Sequence, residues 1–296
     1  MASSTKRVLI YRLGSLGDTL IALPAFHLIA RAFPEAQRRL LTNFPVNVKA
    51  PPAAAILENT NLIHGYFRYA ARTRSPRELL SLWWQLLRWR PQVLIYMGPA
   101  RGVESARRDA RFFRLCGVSR LIGVPLTEDM QHNRWQESEQ ALEPEGERLA
   151  RNLAELGNAH LEAPASWDLN LTEAEHARAK EVLSPAAGHP ILAVSVGTKV
   201  QSKDWGRDNW RALLHSLAAL YPDHALALCG AAEESEASEF AADGWRQNSR
   251  SPVINLCGLL TPRESAAVDS ITVARQLGSA ALPDPARSRS TAAANS

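Results

Sequence analysis

The sequence predicts an α/β protein built from two successive doubly wound halves. Three observations carry that expectation. Short β-rich runs alternate with longer helical patterns along the chain. Each half opens with an apolar strand that runs straight into a polar, glycine-bearing loop and then a helix. The 296 residues, 46% hydrophobic and 22% charged, leave room for two cores at roughly 150 residues per domain.

The elements follow in order. Val8-Leu9-Ile10-Tyr11 is the first strand, and Leu13-Gly14-Ser15-Leu16-Gly17 its loop. Asp18 opens an apolar helical pattern that runs to about Phe33, with Pro34 as the stop. Leu40 to Asn43 suits a second strand. Residues 76–90 predict an amphipathic helix, with Pro76 at its start and Leu79, Leu80, Trp83, Leu86 and Leu87 on one face. Val93 to Tyr96 is a buried strand, and 104–116 an arginine-studded helix. The polar, acidic segment 126–146 reads as loop, 147–156 as helix and Pro164–Asn170 as linker. Thr172 with Glu175 makes a capping-box pattern for a helix to Leu183.

The second half repeats the plan. Ile191 to Val196 is a strand, 197–206 a polar loop and Asp208 to Leu220 a helix. Ala225 to Cys229, Glu233 to Ala242, Val253 to Leu256 and Pro262 to about Gln276 continue as strand, helix, strand, helix. The reading is two Rossmann-like domains facing a cleft, 1–170 and 171–277. The 278–296 tail lacks periodicity and aromatics and is expected to be disordered. Only three strands are countable in the second domain, so it reads as incomplete.

Composition narrows the function. A net charge of +4, scattered along the chain, argues against a nucleic-acid partner. The three cysteines form no CxxC pair and the eight histidines no HxxxH or HExxH pattern, so no metal site is expected. Free, buried cysteines fit a reducing cytoplasm. The apolar stretch at 8–30 is interrupted by Arg12, Asp18 and Pro24 and reads as strand, loop and helix, not as an export signal. Trp83, Trp84 and Trp89 lie near Arg88 and Arg90; packing under their helix is favoured over contact with a membrane interface.

Three loops have a composition suited to chemistry. Arg12-Leu13-Gly14-Ser15-Leu16-Gly17-Asp18 follows the first strand, where open α/β sheets place ligands. It is not GxGxxG. Asp18 near a helix N-terminus stays ionised and suits a general base, or it is simply an N-cap; the residues alone leave both open. Gly197 to Trp205 offers hydroxyls, backbone N–H groups and lysines suited to a diphosphate, or is an ordinary solvated loop. In Gly230-Ala231-Ala232-Glu233-Glu234, a carboxylate after a strand suits ribose hydroxyls, or both acids simply favour the helix dipole.

Taken in order, these loops resemble glycosyltransferase family 9, the family of the ADP-heptose lipopolysaccharide heptosyltransferases. The carrying segments are "RVLIYRLGSLGDTLIALPAFHLIARAFP", "SVGTKVQSKDWGRDNWRALLHSL", "LCGAAEESE" and "INLCGLLTPRESAAV". The resemblance covers about 1–45 and 190–268 well and the middle loosely. It implies a GT-B fold and an inverting, metal-independent transfer of a heptose-like sugar. The donor is an ADP-linked nucleotide sugar, with no other cofactor. Asp18 is the implied base, and Gly197, Thr198 and Lys203 hold the diphosphate. Glu233 takes the ribose, and Arg12 and Gly17 lie by the acceptor or a phosphate. The implied partner is a lipid-linked glycan such as lipopolysaccharide core. The implied location is cytoplasmic, any membrane contact being peripheral on the inner face of the inner membrane.

One family element has no counterpart. After "ESAAV" the family continues to a "DSGxxHxAxA" loop that grips the donor. Here Asp269-Ser270 leads to Ile271-Thr272-Val273, and no histidine follows His224. A truncation or a shifted reading frame is the expected explanation. The alternative function is therefore an inactive copy that at most binds nucleotide or a partner.

Overall fold

The computed structural model describes residues 5–43, 53–69, 76–198 and 201–271. The expected disordered tail at 278–296 lies outside the described residues. The chain divides into two compact units, Met1–Asn170 and Leu171–Ser296. The fold is α/β with parallel sheets in both.

In the first unit, β1 (Arg7–Tyr11) is followed by α1 (Leu16–Ile21), α2 (Leu23–Ala32), β2 (Gln37–Asn43), α3 (Ala54–Leu57) and β3 (Tyr66–Tyr69). Then come α4 (Pro76–Trp89), β4 (Val93–Tyr96), α5 (Val103–Leu115) and β5 (Arg120–Ile122). The five strands pair in parallel in the order β3-β2-β1-β4-β5. Val8, Leu9, Ile10 and Tyr11 are all buried, because helices cover both faces of a parallel sheet and leave no polar side for the central strand. Leu9 and Tyr11 point into a cluster with Leu82, Leu86 and Trp89 of α4 and Ala106, Ala110 and Phe113 of α5. Those two helices therefore lie on the same side of the sheet.

Four expectations need correction in this unit. The helix expected from Asp18 to Phe33 is two helices broken at Ala22, because Pro24 has no N–H to continue the first ladder and instead starts α2. On α4 the buried residues are Leu82, Leu86 and Trp89, while Leu79 and Leu80 are exposed. Leu86 of the expected face is buried and Trp83 is half-buried against the core, but packing on the sheet turned the stripe toward Leu82 and Trp89. The acidic segment 126–146 is not loop. It folds as α6 (Glu128–Gln131), a short hairpin of β6 (Trp135–Gln136) and β7 (Ala141–Leu142), and the start of α7 (Glu145–Asn152). Its carboxylates meet arginines: Arg151 bonds Asp129 and Glu143, and Arg134 bonds Asp129. The Pro164–Asn170 stretch, expected as linker, holds a 3-10 turn, and Asn170 donates to the Thr60 carbonyl at 2.9 Å.

The second unit runs α8 (Glu173–Leu183), β8 (Ile191–Val194), α9 (Arg207–Leu220), β9 (Ala225–Leu228), α10 (Ser235–Asn248), β10 (Val253–Asn255) and α11 (Pro262–Ile271). Its three strands are parallel in the order β10-β9-β8. The capping box of Thr172 and Glu175 is formed. Glu175 also receives Arg263 of α11 at 2.6 Å, tying the two helices together. α9 and α10 pack so closely that a Cβ on Gly244 would lie 2.0 Å from the Arg211 carbonyl oxygen. Arg207 and Arg211 of α9 stack over the Phe240 ring of α10 at 3.9 and 4.7 Å.

Candidate functional site

The first unit builds its site at the carboxyl ends of β1, β2 and β4, where the strand order reverses and open sheets leave a crevice. A cavity of about 310 Å³ is lined there by Arg12, Leu13, Gly14, Asp18, Asn43, Pro99 and Glu145. Ser15 is the N-cap of α1, and Asp18 is its third residue, not the cap. The two form a capping box: the Asp18 carboxylate accepts from the Ser15 N–H at 2.5 Å, and the Asp18 N–H donates to Ser15 Oγ at 3.4 Å. Asp18 is exposed. Gly14 has to lack a side chain, since a Cβ there would sit 2.6 Å from the Asp18 Cβ. Asn43 at the end of β2 clamps the loop through both amide atoms, to the Gly14 N–H at 2.8 Å and its carbonyl at 3.3 Å. Gly17 is exposed, and a Cβ there would meet only Ser15 Oγ, at 3.9 Å.

Arg12 lies under this loop, only 4% exposed. It donates to the Met97 carbonyl and to the Asp18 carbonyl, each at 2.9 Å, and Glu145 lies 3.5 Å away. Glu145 is held in turn by Arg148 at 2.7 Å. Burial pushes the Arg12 guanidinium below its ordinary value, and the charges of Glu145 and Asp18 oppose that. Burial alone would raise the Glu145 carboxyl, but hydrogen bonds and charge from Arg148 and Arg12 bring it below the ordinary carboxylate value. Arg12 therefore braces the backbone of the Asp18 turn. Among the described residues its Nε has no hydrogen-bond partner.

The second unit gathers its candidates after β8 and β9. Gly197 and Thr198 follow β8 and are exposed. Lys199 and Val200 lie outside the described residues. Lys203 is exposed and closes a 3-10 turn, Gln201–Lys203. Gly206, at φ +90°, then caps α9, a conformation that suits glycine. Asp204 accepts from the Gly206 N–H at 2.9 Å, and Trp205 packs edge-on against Trp210.

After β9 the structure separates the two acids. Glu233 is exposed, whereas Glu234 is half-buried and turned toward the β8 loop. The Glu234 carboxylate accepts from the Ala231 N–H at 2.8 Å. A Cβ on Gly197 would fall 1.8 Å from Glu234 Oε1, and one on Gly230 2.5 Å from Oε2. Glu234 is thus the acid that shares a site with Gly197. Sequence reasoning selected its neighbour Glu233, and it passed over Asn43 and Glu145 in the first unit. A signal for Glu234 existed: it stands four residues after Gly230, as the final residue of the turn Ala232–Glu234.

Among the described residues, no group of three His, Cys, Asp or Glu side chains gathers to hold a metal, and no helix is long and apolar enough to cross a membrane. The described cysteines are unpaired, with Cys116 and Cys257 buried and Cys229 half-buried.

The model of glycosyltransferase family 9 (heptosyltransferase) matches residues 126–272. That segment belongs to glycosyltransferase family 9. The family 9 match includes Gly197, Thr198, Lys203, Glu233 and Glu234, while Arg12, Gly17 and Asp18 lie outside it. No curated protein sequence matches the chain. Solved structures extend the likeness of fold over both units. The family 9 glycosyl transferase from Veillonella parvula is similar with a TM-score of 0.61 at 13% identity, over 92% of this chain and 75% of that one. E. coli heptosyltransferase WaaC with ADP-2-deoxy-2-fluoro heptose gives 0.57 at 20% identity, over 90% and 80%. E. coli ADP-heptose lps heptosyltransferase II gives 0.57 at 12%, over 90% and 77%.

Proposed function

We propose that this chain transfers a heptose-like sugar from an ADP-linked donor to a cell-envelope glycan such as lipopolysaccharide core, with inversion and without a metal ion. The observation that supports this reading most is the braced Asp18 turn on the crevice of the first unit. Arg12 and Ser15 Oγ hold the Asp18 backbone and the Ser15 N–H holds one carboxylate oxygen, while the residue itself stays exposed beside a cavity. A base needs that combination of fixed position and access.

In this mechanism the Asp18 carboxylate takes the proton from an acceptor hydroxyl. The hydroxyl oxygen bonds to the anomeric carbon as the bond to the diphosphate oxygen breaks. Lys203, the loop at 197–206 and the first N–H groups of α9 offset the charge that builds on the leaving diphosphate. Glu234, rather than Glu233, accepts hydrogen bonds from the ribose hydroxyls. Arg12 positions Asp18 and is not itself exposed to the acceptor. The site works from the cytoplasm on a lipid-linked acceptor.

Transfer from ADP-heptose to a lipid-linked core acceptor tests the reading. Asp18→Asn is expected to lower kcat by roughly 10²–10⁴-fold with the fold intact. An Asp18→Asn protein that keeps the wild-type rate removes the base. A second reading, an inactive nucleotide-binding copy, is favoured by the sequence after Val268, which lacks the family's DSGxxH pattern. It predicts a thermal shift with ADP sugars and no transfer. No shift with ADP, UDP or GDP sugars counts against both.

A further inference from the structure

Among the described residues, nothing covers the outer faces of α4 and α5. Leu80 and Trp84 stand one helical turn apart on α4 and are 62% and 63% exposed. Leu115, at the end of α5, is 71% exposed. The half-buried Trp83 joins them, its ring lying 6.5 Å from that of Trp84 and its Nε1 donating to the Leu115 carbonyl at 3.0 Å. Large side chains so exposed and so close together are unusual on a surface that only meets water.

The charge around them is mainly positive, with Glu104 paired to Arg107 and Glu78 at the start of α4 as the exposed acids. α4 and α5 together carry six arginines and three carboxylates. Asp109 is turned inward, accepting from Tyr96 and Arg101. Arg77 and Arg88 flank the Leu80–Trp84 ridge on α4, while Arg108 and Arg111 share the outward stripe of α5 with Leu115. All four are exposed. Apolar tips ringed by guanidinium groups fit the boundary between anionic headgroups and acyl chains, with Trp84 at the depth where an indole is half wet.

We infer that the α4–α5 face docks the first unit on an anionic phospholipid bilayer, inserting Leu80, Trp84 and Leu115 between the headgroups. The inference rests on the proposed lipid-linked acceptor for its purpose, but not for its physics. It brings the unit that carries Asp18 to the surface where such an acceptor is anchored.

The test is co-sedimentation of the full chain with vesicles containing phosphatidylglycerol or made of phosphatidylcholine alone. The expected result is binding to the anionic vesicles only, weakening as salt is raised. Trp84→Glu and Leu80→Glu should each lower the bound fraction about tenfold, and Arg108→Glu with Arg111→Glu should flatten the salt dependence. All these variants should keep the wild-type melting temperature and the wild-type shift with ADP. Binding without an ADP shift would leave the docking face standing and count against the transferase reading. The inference is overturned if anionic vesicles do not bind, if the Trp84 and Leu80 variants bind as wild type does, or if those variants instead abolish a dimer seen in solution.

Discussion

The two units solve the same problem, a rigid loop at a strand end, by opposite means. In the first, side chains from distant segments converge on the loop. Arg12 reaches the Asp18 and Met97 carbonyls, Glu145 pairs with Arg12, and Asn43 grips Gly14. In the second, space is removed: Gly197 and Gly230 lack side chains so that one carboxylate, Glu234, can fill the gap. The first device is built from polar bonds and depends on ionisation. The second is built mainly from sterics, with one hydrogen bond, from the Ala231 N–H to the Glu234 carboxylate.

The contrast can be broken most severely at Glu145. Glu145→Gln takes the opposing charge from two buried guanidiniums, Arg12 and Arg148, at a half-buried carboxyl; a fully buried pair costs about 3–5 kcal/mol to break, so a loss of about 2 kcal/mol is expected here. Urea unfolding of the variant measures it, and a loss below about 1 kcal/mol would mean that the backbone carbonyls alone satisfy Arg12. The next test compares two glycines. Gly197→Ala should lower ADP-sugar affinity at least about tenfold, read by titration calorimetry, because Glu234 has to leave its place. Gly17→Ala should leave that affinity and the melting temperature near wild type, since its Cβ would meet only Ser15 Oγ, at an ordinary contact distance of 3.9 Å.

The smallest expected effect is a pH dependence. Arg263 holds the Glu175 carboxyl down at about 2, against burial that would raise it. A carboxyl lower in the folded than in the unfolded state adds stability that is fully present above the ordinary value of about 4.5 and disappears as the pH falls toward 2. Glu145 acts in the same direction, its carboxyl also lying below the ordinary value. Urea midpoints measured from pH 6 to pH 3 should therefore fall less steeply in Glu175→Gln than in wild type. Equal slopes would assign the acid sensitivity elsewhere.

What the sequence made legible was local. The strands at Val8–Tyr11, Val93–Tyr96 and Ala225–Leu228 announce themselves as apolar runs ending in glycine loops, and the Thr172–Glu175 box needs only four residues. The candidate loops follow from those strand ends. What stayed hidden needed a partner far along the chain or a choice of phase. Glu145 acts on Arg12 across 133 positions of sequence. The segment 126–146 looked like solvent-exposed loop because the arginines that neutralise it, such as Arg151, come from the following helix. Glu233 and Glu234 are chemically alike, and only the turn's geometry decides which faces Gly197. On α4, packing on the sheet turned the buried stripe toward Leu82 and Trp89 and left Leu80 and Trp84 outside.

Gly244 sits in mid-helix, yet it sets how near α9 comes to α10. Those helices begin just beyond the loops at 197–206 and 230–234, the proposed donor loops. On the proposed donor assignment, a change at Gly244 would alter sugar preference from outside either loop. Directed evolution confined to residues near the ligand would pass over it. A library that varies Gly244 together with Arg211 and Phe240 would explore the width of the proposed donor site along a seam that selection can adjust in small steps.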